Sequence, residues 1–148
     1  MAFHFRLESV LTVRKNIEEQ VQLKLAREQM VLSNHQARLA ALQGQRSELS
    51  AAMEQRKKKT MAGRMFLYYM EAMRVQELQI LMQQSTIAAQ KKIVEKVRSE
   101  LAEAMKKRKI MDVLREKELE RYLLETRRKE QNESDEQALL RYGRGIVK

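Results

Sequence analysis

From Leu7 onward, apolar residues return at alternating steps of four and three. The series runs Leu7, Leu11, Arg14, Glu18, Val21, Leu25, Glu28, Leu32, His35, Leu39, Leu42, Arg46, Leu49, Met53 and Arg56, and nine of its fifteen positions are apolar. A mean spacing of 3.5 residues is the signature of helices packed along a shared seam, and polar interruptions in such a seam fix register at a cost in stability. A second ladder follows at strict sevens: Phe66, Met73, Ile80, Ile87, Val94 and Leu101. Val97, Ala104 and Met111 supply its neighbouring stripe, and Gln83 and Gln90 are its expected polar layers.

Between the ladders, Gln55-Arg56-Lys57-Lys58-Lys59-Thr60-Met61-Ala62-Gly63-Arg64 breaks the pattern. Four successive cations suit a helix C-terminus, where they oppose the macrodipole. Thr60 and Gly63 are adequate turn residues, which places a tip at about 59–64. Gly44 is the competing break, but seam positions continue past it through Leu49 and Met53.

These elements predict an all-α fold: a long antiparallel two-helix coiled-coil hairpin with unequal arms, the C-terminal helix the longer. Residues 1–148 are expected to form a single hairpin, with helix 1 over about 4–58, helix 2 over about 65–141 and a short C-terminal tail. Folding about residue 61 pairs residue i with roughly 122 − i, so Leu42 meets Ile80, Leu25 meets Val97 and Leu11 meets Met111. Residues from about 116 onward are then expected to overhang, unpaired or packed on only the first few residues, and where the helix is unpaired Leu119, Leu123, Leu124, Leu139 and Leu140 have no place inside the chain. That overhang is a candidate binding surface.

Composition strengthens the helical reading. The chain has no proline, no cysteine and four glycines, two of which, Gly143 and Gly145, lie in the last six residues. Proline is the strongest helix breaker, so its absence favours uninterrupted helices. Charged residues make up 34% and aromatics 5%, with no Trp, which suits a seam rather than a bulky core. No apolar run approaches the length of a membrane span, no signal-peptide apolar region is present, and the lack of cysteine is compatible with the cytosol.

The net charge of +10 favours anionic partners in general. It is dispersed, however: residues 1–60 carry eleven Lys and Arg against six Asp and Glu. A nucleic-acid binder calls for clustered cations interleaved with stacking aromatics, a pattern the linear sequence lacks. Catalytic chemistry is equally sparse. His4 and His35 stand far apart on one expected helix, and there is no metal-ligand spacing and no glycine-rich phosphate cradle. Glu116 and Glu120 are a helical surface pair without a cleft. The reading is a non-enzymatic interaction protein with no cofactor and no metal.

Three stretches carry a family resemblance. The opening Phe3-His4-Phe5-Arg6-Leu7-Glu8-Ser9-Val10-Leu11-Thr12-Val13-Arg14, followed by Ile17-Glu18-Glu19, resembles the F-x-F-x-L-E-x-V-L-x-x-R start of the flagellar export protein FliJ family. Phe66-Leu67-Tyr68-Tyr69-Met70-Glu71-Ala72-Met73 is similar to that family's aromatic segment after its turn. Arg127-Arg128-Lys129-Glu130-Gln131-Asn132-Glu133-Ser134-Asp135-Glu136 resembles its R-K-E-Q-x-E-x-D-E ending. The resemblance implies a cytoplasmic component of the flagellar type III export apparatus, peripheral at the inner membrane. Its fold would be a hairpin similar to the two-helix stalk of the rotary ATPase gamma subunit. Its partners would be the flagellar export ATPase hexamer, the export gate membrane protein and export chaperones.

On that basis the end carrying both termini, with Phe5, Leu7, Leu11, Arg14, Leu119, Leu123 and Arg127, is expected to engage the ATPase ring. Tyr69, Met73, Gln76 and Ile80, on one face near the tip, are expected to meet the gate, the alternative being that this stripe is buried seam. Two other readings stay open: the equivalent stalk of a virulence-type secretion system, and a basic helical nucleic-acid-binding or tethering protein.

Overall fold

The structure is a computed structural model that describes residues 2–59 and 61–146. Two helices account for nearly all of them: α1, Glu8–Lys57, and α2, Gly63–Ile146, of 50 and 84 residues. Among the described residues there is no strand. The expectation of an all-α hairpin with the longer helix second therefore holds.

Local chemistry sets the helix ends. The Glu8 N–H donates to the Phe5 carbonyl at 3.1 Å, and Glu8 places a carboxylate in the first turn, where it complements the helix dipole. Helix α1 thus starts a turn later than residue 4. It closes with Arg56 and Lys57 in its last turn, again of favourable sign. The Ala62 carbonyl accepts from the N–H groups of Met65 and Phe66 at 3.0 and 3.2 Å, opening α2. At its other end α2 continues through Gly143 and Gly145. A helical glycine costs about 1 kcal/mol relative to alanine but removes no hydrogen bond, so without a proline the helix need not stop.

Contacts group the chain into two compact units, each made of a stretch of α1 and an antiparallel stretch of α2. The first comprises residues 20–102. Its interior is Leu42, Met53, Tyr69, Ile87, Val94 and Val97, with Gln83 and Gln90 buried among them. Both glutamines are satisfied across the seam. Gln83 Nε2 donates to the His35 carbonyl at 2.9 Å, and Gln90 Nε2 donates to the Glu28 carbonyl at 3.0 Å and to Glu28 Oε2 at 2.6 Å. These are the polar layers expected from the sequence. Lys24 pairs with Glu100 at 3.3 Å, and Arg46 with Glu77. The residue numbers of Gln83 with His35 and of Gln90 with Glu28 both add to 118, and those of Lys24 with Glu100 to 124, bracketing the expected 122.

One ladder member is misplaced by the sequence reading. Phe66 is 40% exposed, and Tyr69 takes the seam position in its stead. Residue 66 falls in register with the polar end of α1, where Arg56 offers no apolar partner, whereas residue 69 falls in register with the buried Met53.

The second unit comprises the described parts of 1–19 and 103–148. Phe5, Leu11 and Ala104 are buried, and Glu18 is buried with its charge paired. Arg108 bridges Glu18 at 2.5 Å and Asp112 at 2.6 Å, and Arg115 reaches Glu8 at 3.1 Å. The Phe3 ring lies 5.5 Å from that of Tyr122, and the Arg115 guanidinium stands 5.8 Å from the centre of the Phe3 ring.

This N-terminal hook divides the expected overhang into a part packed on the first few residues and an uncovered part. Glu8 already pairs with Arg115, yet Phe3 reaches Tyr122 and Thr126 is half-buried. A non-helical chain advances up to about 3.3 Å per residue against about 1.5 Å in a helix. From the Glu8–Arg115 pair to the Phe3–Tyr122 contact, five residues on the N-terminal side therefore span seven of α2. The uncovered stretch begins at residue 127, and residues 127–145 are all exposed.

Candidate interaction faces

The residues expected to meet an ATPase ring all lie in the unit carrying the N-terminal hook. They do not form one accessible patch. Phe5 and Leu11 are 2% and 1% exposed, and Leu7, Arg14 and Leu119 are half-buried, so these five are engaged within the chain. Leu123 and Arg127 are exposed. What remains open is the α2 stretch beyond Thr126, with Leu139, Leu140 and Tyr142 uncovered. Three cations, Arg127, Arg128 and Lys129, are followed there by Glu130, Glu133, Asp135 and Glu136. The sequence pointed to this stretch but assigned it the covered part of the hairpin as well.

The residues expected at the gate divide in a similar way. Tyr69 is buried and meets Tyr68 edge-on, with ring centres 5.9 Å apart. Met73, Gln76 and Ile80 are half-buried. Tyr69 thus lies in the seam, and the other three are partly covered. Met73 and Ile80 nonetheless edge a groove of about 570 Å³, left open because Ser47, Ser50 and Ala51 on α1 are small. Arg46 Nε and Gln76 Oε1, both in this region of the seam, are buried without a hydrogen-bond partner.

The accessible apolar face of α2 here is a different one. Leu67, Met70, Val75, Leu78, Leu81 and Met82 are exposed, Met82 to 70%. At 100° per residue, Leu67, Leu78 and Leu81 lie nearly opposite the seam defined by Tyr69, Gln76, Gln83 and Ile87. The signal for this stripe was present in the sequence as apolar residues left over once the heptad ladder is removed.

Electrostatics at these faces is simple. Arg74 donates to Glu71 at 2.7 and 3.1 Å and holds its carboxyl below the usual carboxylate range. Such a pair contributes above the unfolded carboxylate's range and is lost as the pH falls through the lowered value. Both groups are well exposed, so the effect on stability is small. The Arg108 guanidinium is raised by its hydrogen bonds to Glu18 and Asp112, and it stays charged at every physiological pH.

His35 is half-buried beside Gln83, and His4 is exposed near α2. Among the described residues no cluster of three His, Cys, Asp or Glu could hold a metal ion, and no helix is long and apolar enough to cross a membrane.

No curated protein and no solved structure matches the chain. A family model described as flagellar FliJ protein matches residues 3–146. That match takes in both helices, the turn between them and all three stretches that carry the resemblance. A hairpin with a longer second helix, matched over nearly its whole length, belongs to the flagellar FliJ family and is a component associated with the flagellar export machinery.

Proposed function

We propose that this chain is a non-enzymatic, cytoplasmic stalk of the flagellar type III export apparatus. It enters the ring of the flagellar export ATPase with the part of α2 beyond Thr126 and promotes ring assembly and turnover. The observation that carries this reading is the uncovered stretch 127–145, a helix with Leu139, Leu140 and Tyr142 exposed and no α1 opposite. Helices of this length gain most of their stability from packing, so a surface that covers it is needed. Family membership points to the export machinery as the source of that surface. The chain sits at the inner membrane through its partners and escorts export chaperones. Mixing the full chain with purified flagellar export ATPase is expected to raise ATP turnover and the yield of rings. Turnover and ring yield unchanged at saturating chain would refute the stalk reading.

A second contact, with the export gate, is assigned to the exposed α2 face rather than to the Tyr69 stripe. Val75, Leu78 and Met82 are uncovered, whereas Tyr69 is not. Leu78→Ser with Met82→Ser is expected to weaken gate binding at least tenfold with thermal stability unchanged. Tyr69→Ala is expected to lower stability by about 2–3 kcal/mol, as for a large buried side chain. Pull-down with the soluble part of the gate and thermal melts of both variants distinguish the faces. The opposite pattern would return the contact to Tyr69.

A further inference from the structure

We propose that the turn end of the hairpin binds an anionic lipid surface directly, with cations and uncovered apolar side chains of residues 56–59 and 64–70 entering the same interface. Arg56, Lys57, Lys58, Lys59 and Arg64 lie between Glu54 and Glu71 with no acid among them. All five are exposed. Lys57 reaches Glu54 at 3.5 Å, while Arg56, Lys58, Lys59 and Arg64 make no ion pair among the described residues. In the linear sequence the cations and the aromatics are separate. The turn brings them together: Lys57 Nζ stands 5.8 Å from the centre of the Phe66 ring.

The apolar half of the site is on the first turns of α2. Met65, Phe66, Leu67, Tyr68 and Met70 are all exposed, Leu67 and Tyr68 to 67% and 69%. In aqueous solution this is an unfavourable place for so much apolar surface. At a bilayer it suits the headgroup boundary, where leucine and methionine enter the acyl region and tyrosine stays at headgroup level. Lys and Arg can snorkel their charges to the phosphates while their stems lie on apolar surface. Stable membrane association takes two signals, and a polybasic run beside an apolar insertion supplies both. Among the described residues no helix is long and apolar enough to cross a membrane, and the proposed contact is interfacial.

The same cations could meet nucleic acid, but the apolar set favours lipid. A stacking platform needs several open aromatic faces. Tyr69 is buried, and the Phe66 ring has the Lys57 ammonium beside it. Of these aromatics Tyr68 is the most open, and the remaining exposed side chains are aliphatic or thioether.

The test uses the full chain and needs neither the ATPase nor the gate, so its outcome is separate from that of the stalk reading. Co-sedimentation is measured with vesicles of phosphatidylcholine alone and with about one-third phosphatidylglycerol, at about 0.15 M salt. The chain is expected to partition onto the anionic vesicles only. Each cation near an anionic leaflet contributes a factor of about five, so Lys57→Gln, Lys58→Gln and Lys59→Gln together are expected to lower partitioning roughly 100-fold. Leu67→Ser with Tyr68→Ser is expected to lower it at least tenfold, and a Tyr68→Trp probe is expected to shift its emission to the blue on anionic vesicles. All these side chains are exposed, so helicity by circular dichroism stays as in the parent. Equal binding to neutral vesicles, full binding by either variant set, or an unshifted Trp emission on bound vesicles overturns the proposal. Capture by a single-stranded oligonucleotide under conditions that leave anionic vesicles unbound overturns it in favour of a nucleic-acid site.

Discussion

Leu11→Ala is expected to lower stability by about 3 kcal/mol, the typical cost of truncating a fully buried leucine whose surroundings cannot collapse. Leu11 is essentially sealed, and its unit buries few other side chains: Phe5, Ala104 and the paired Glu18. A seam this thin has little redundancy. Domains as a class retain only about 5–15 kcal/mol of net stability, so the loss is a large share of the total. Urea unfolding followed by far-UV circular dichroism checks it, with Val13→Ala as control. Val13 is exposed on the same helix, and its truncation is expected to stay within about 0.5 kcal/mol of the parent. Equal effects of the two substitutions would mean that the hook and first turns of α1 do not pack as described.

The second large effect is functional. A chain ending at Thr126 is expected to keep its melting temperature and to lose stimulation of the export ATPase. The cut follows the last half-buried residue of α2, so it leaves the Phe3–Tyr122 contact and the Arg108 and Arg115 bridges intact. A cut after Glu118 would remove Tyr122 and confound lost function with lost packing. Normal stimulation by the shorter chain would exclude the 127–145 stretch from the ring. A lower melting temperature would show that the stretch packs on the rest of the chain.

The α1 seam was legible in the sequence almost residue by residue. Every position of the four-three series from Leu7 to Met53 is buried or half-buried, and only Arg56, at the helix end, is exposed. Burial against a single partner helix imposes one periodic stripe, which periodicity detects directly. The ion pairs and glutamine bonds fall near the expected register because helical rise fixes it once the turn is located.

What periodicity could not supply falls into two kinds. The hook of Phe3 and Phe5 is non-helical, so its reach depends on chain extension rather than on repeat, and the repeat alone did not say that the first few residues cover α2 as far as Thr126. The exposed face of Leu67, Val75, Leu78 and Met82 was hidden behind the stronger ladder beside it. The candidate contacts therefore moved from seam residues, where aromatics and methionines first drew attention, to the apolar residues that no intramolecular partner covers.

The central claim, that the uncovered end of α2 is what the export ATPase grips, is tested most directly by site-specific photo-crosslinking. A benzophenone side chain in place of Leu139, in the full chain mixed with the ATPase and ATP, is predicted to give an ATPase adduct mapping to the inner wall of the ring. The same probe at Leu78 is predicted to give none. Absence of the Leu139 adduct while turnover is stimulated, or an ATPase adduct from Leu78 instead, would contradict the account.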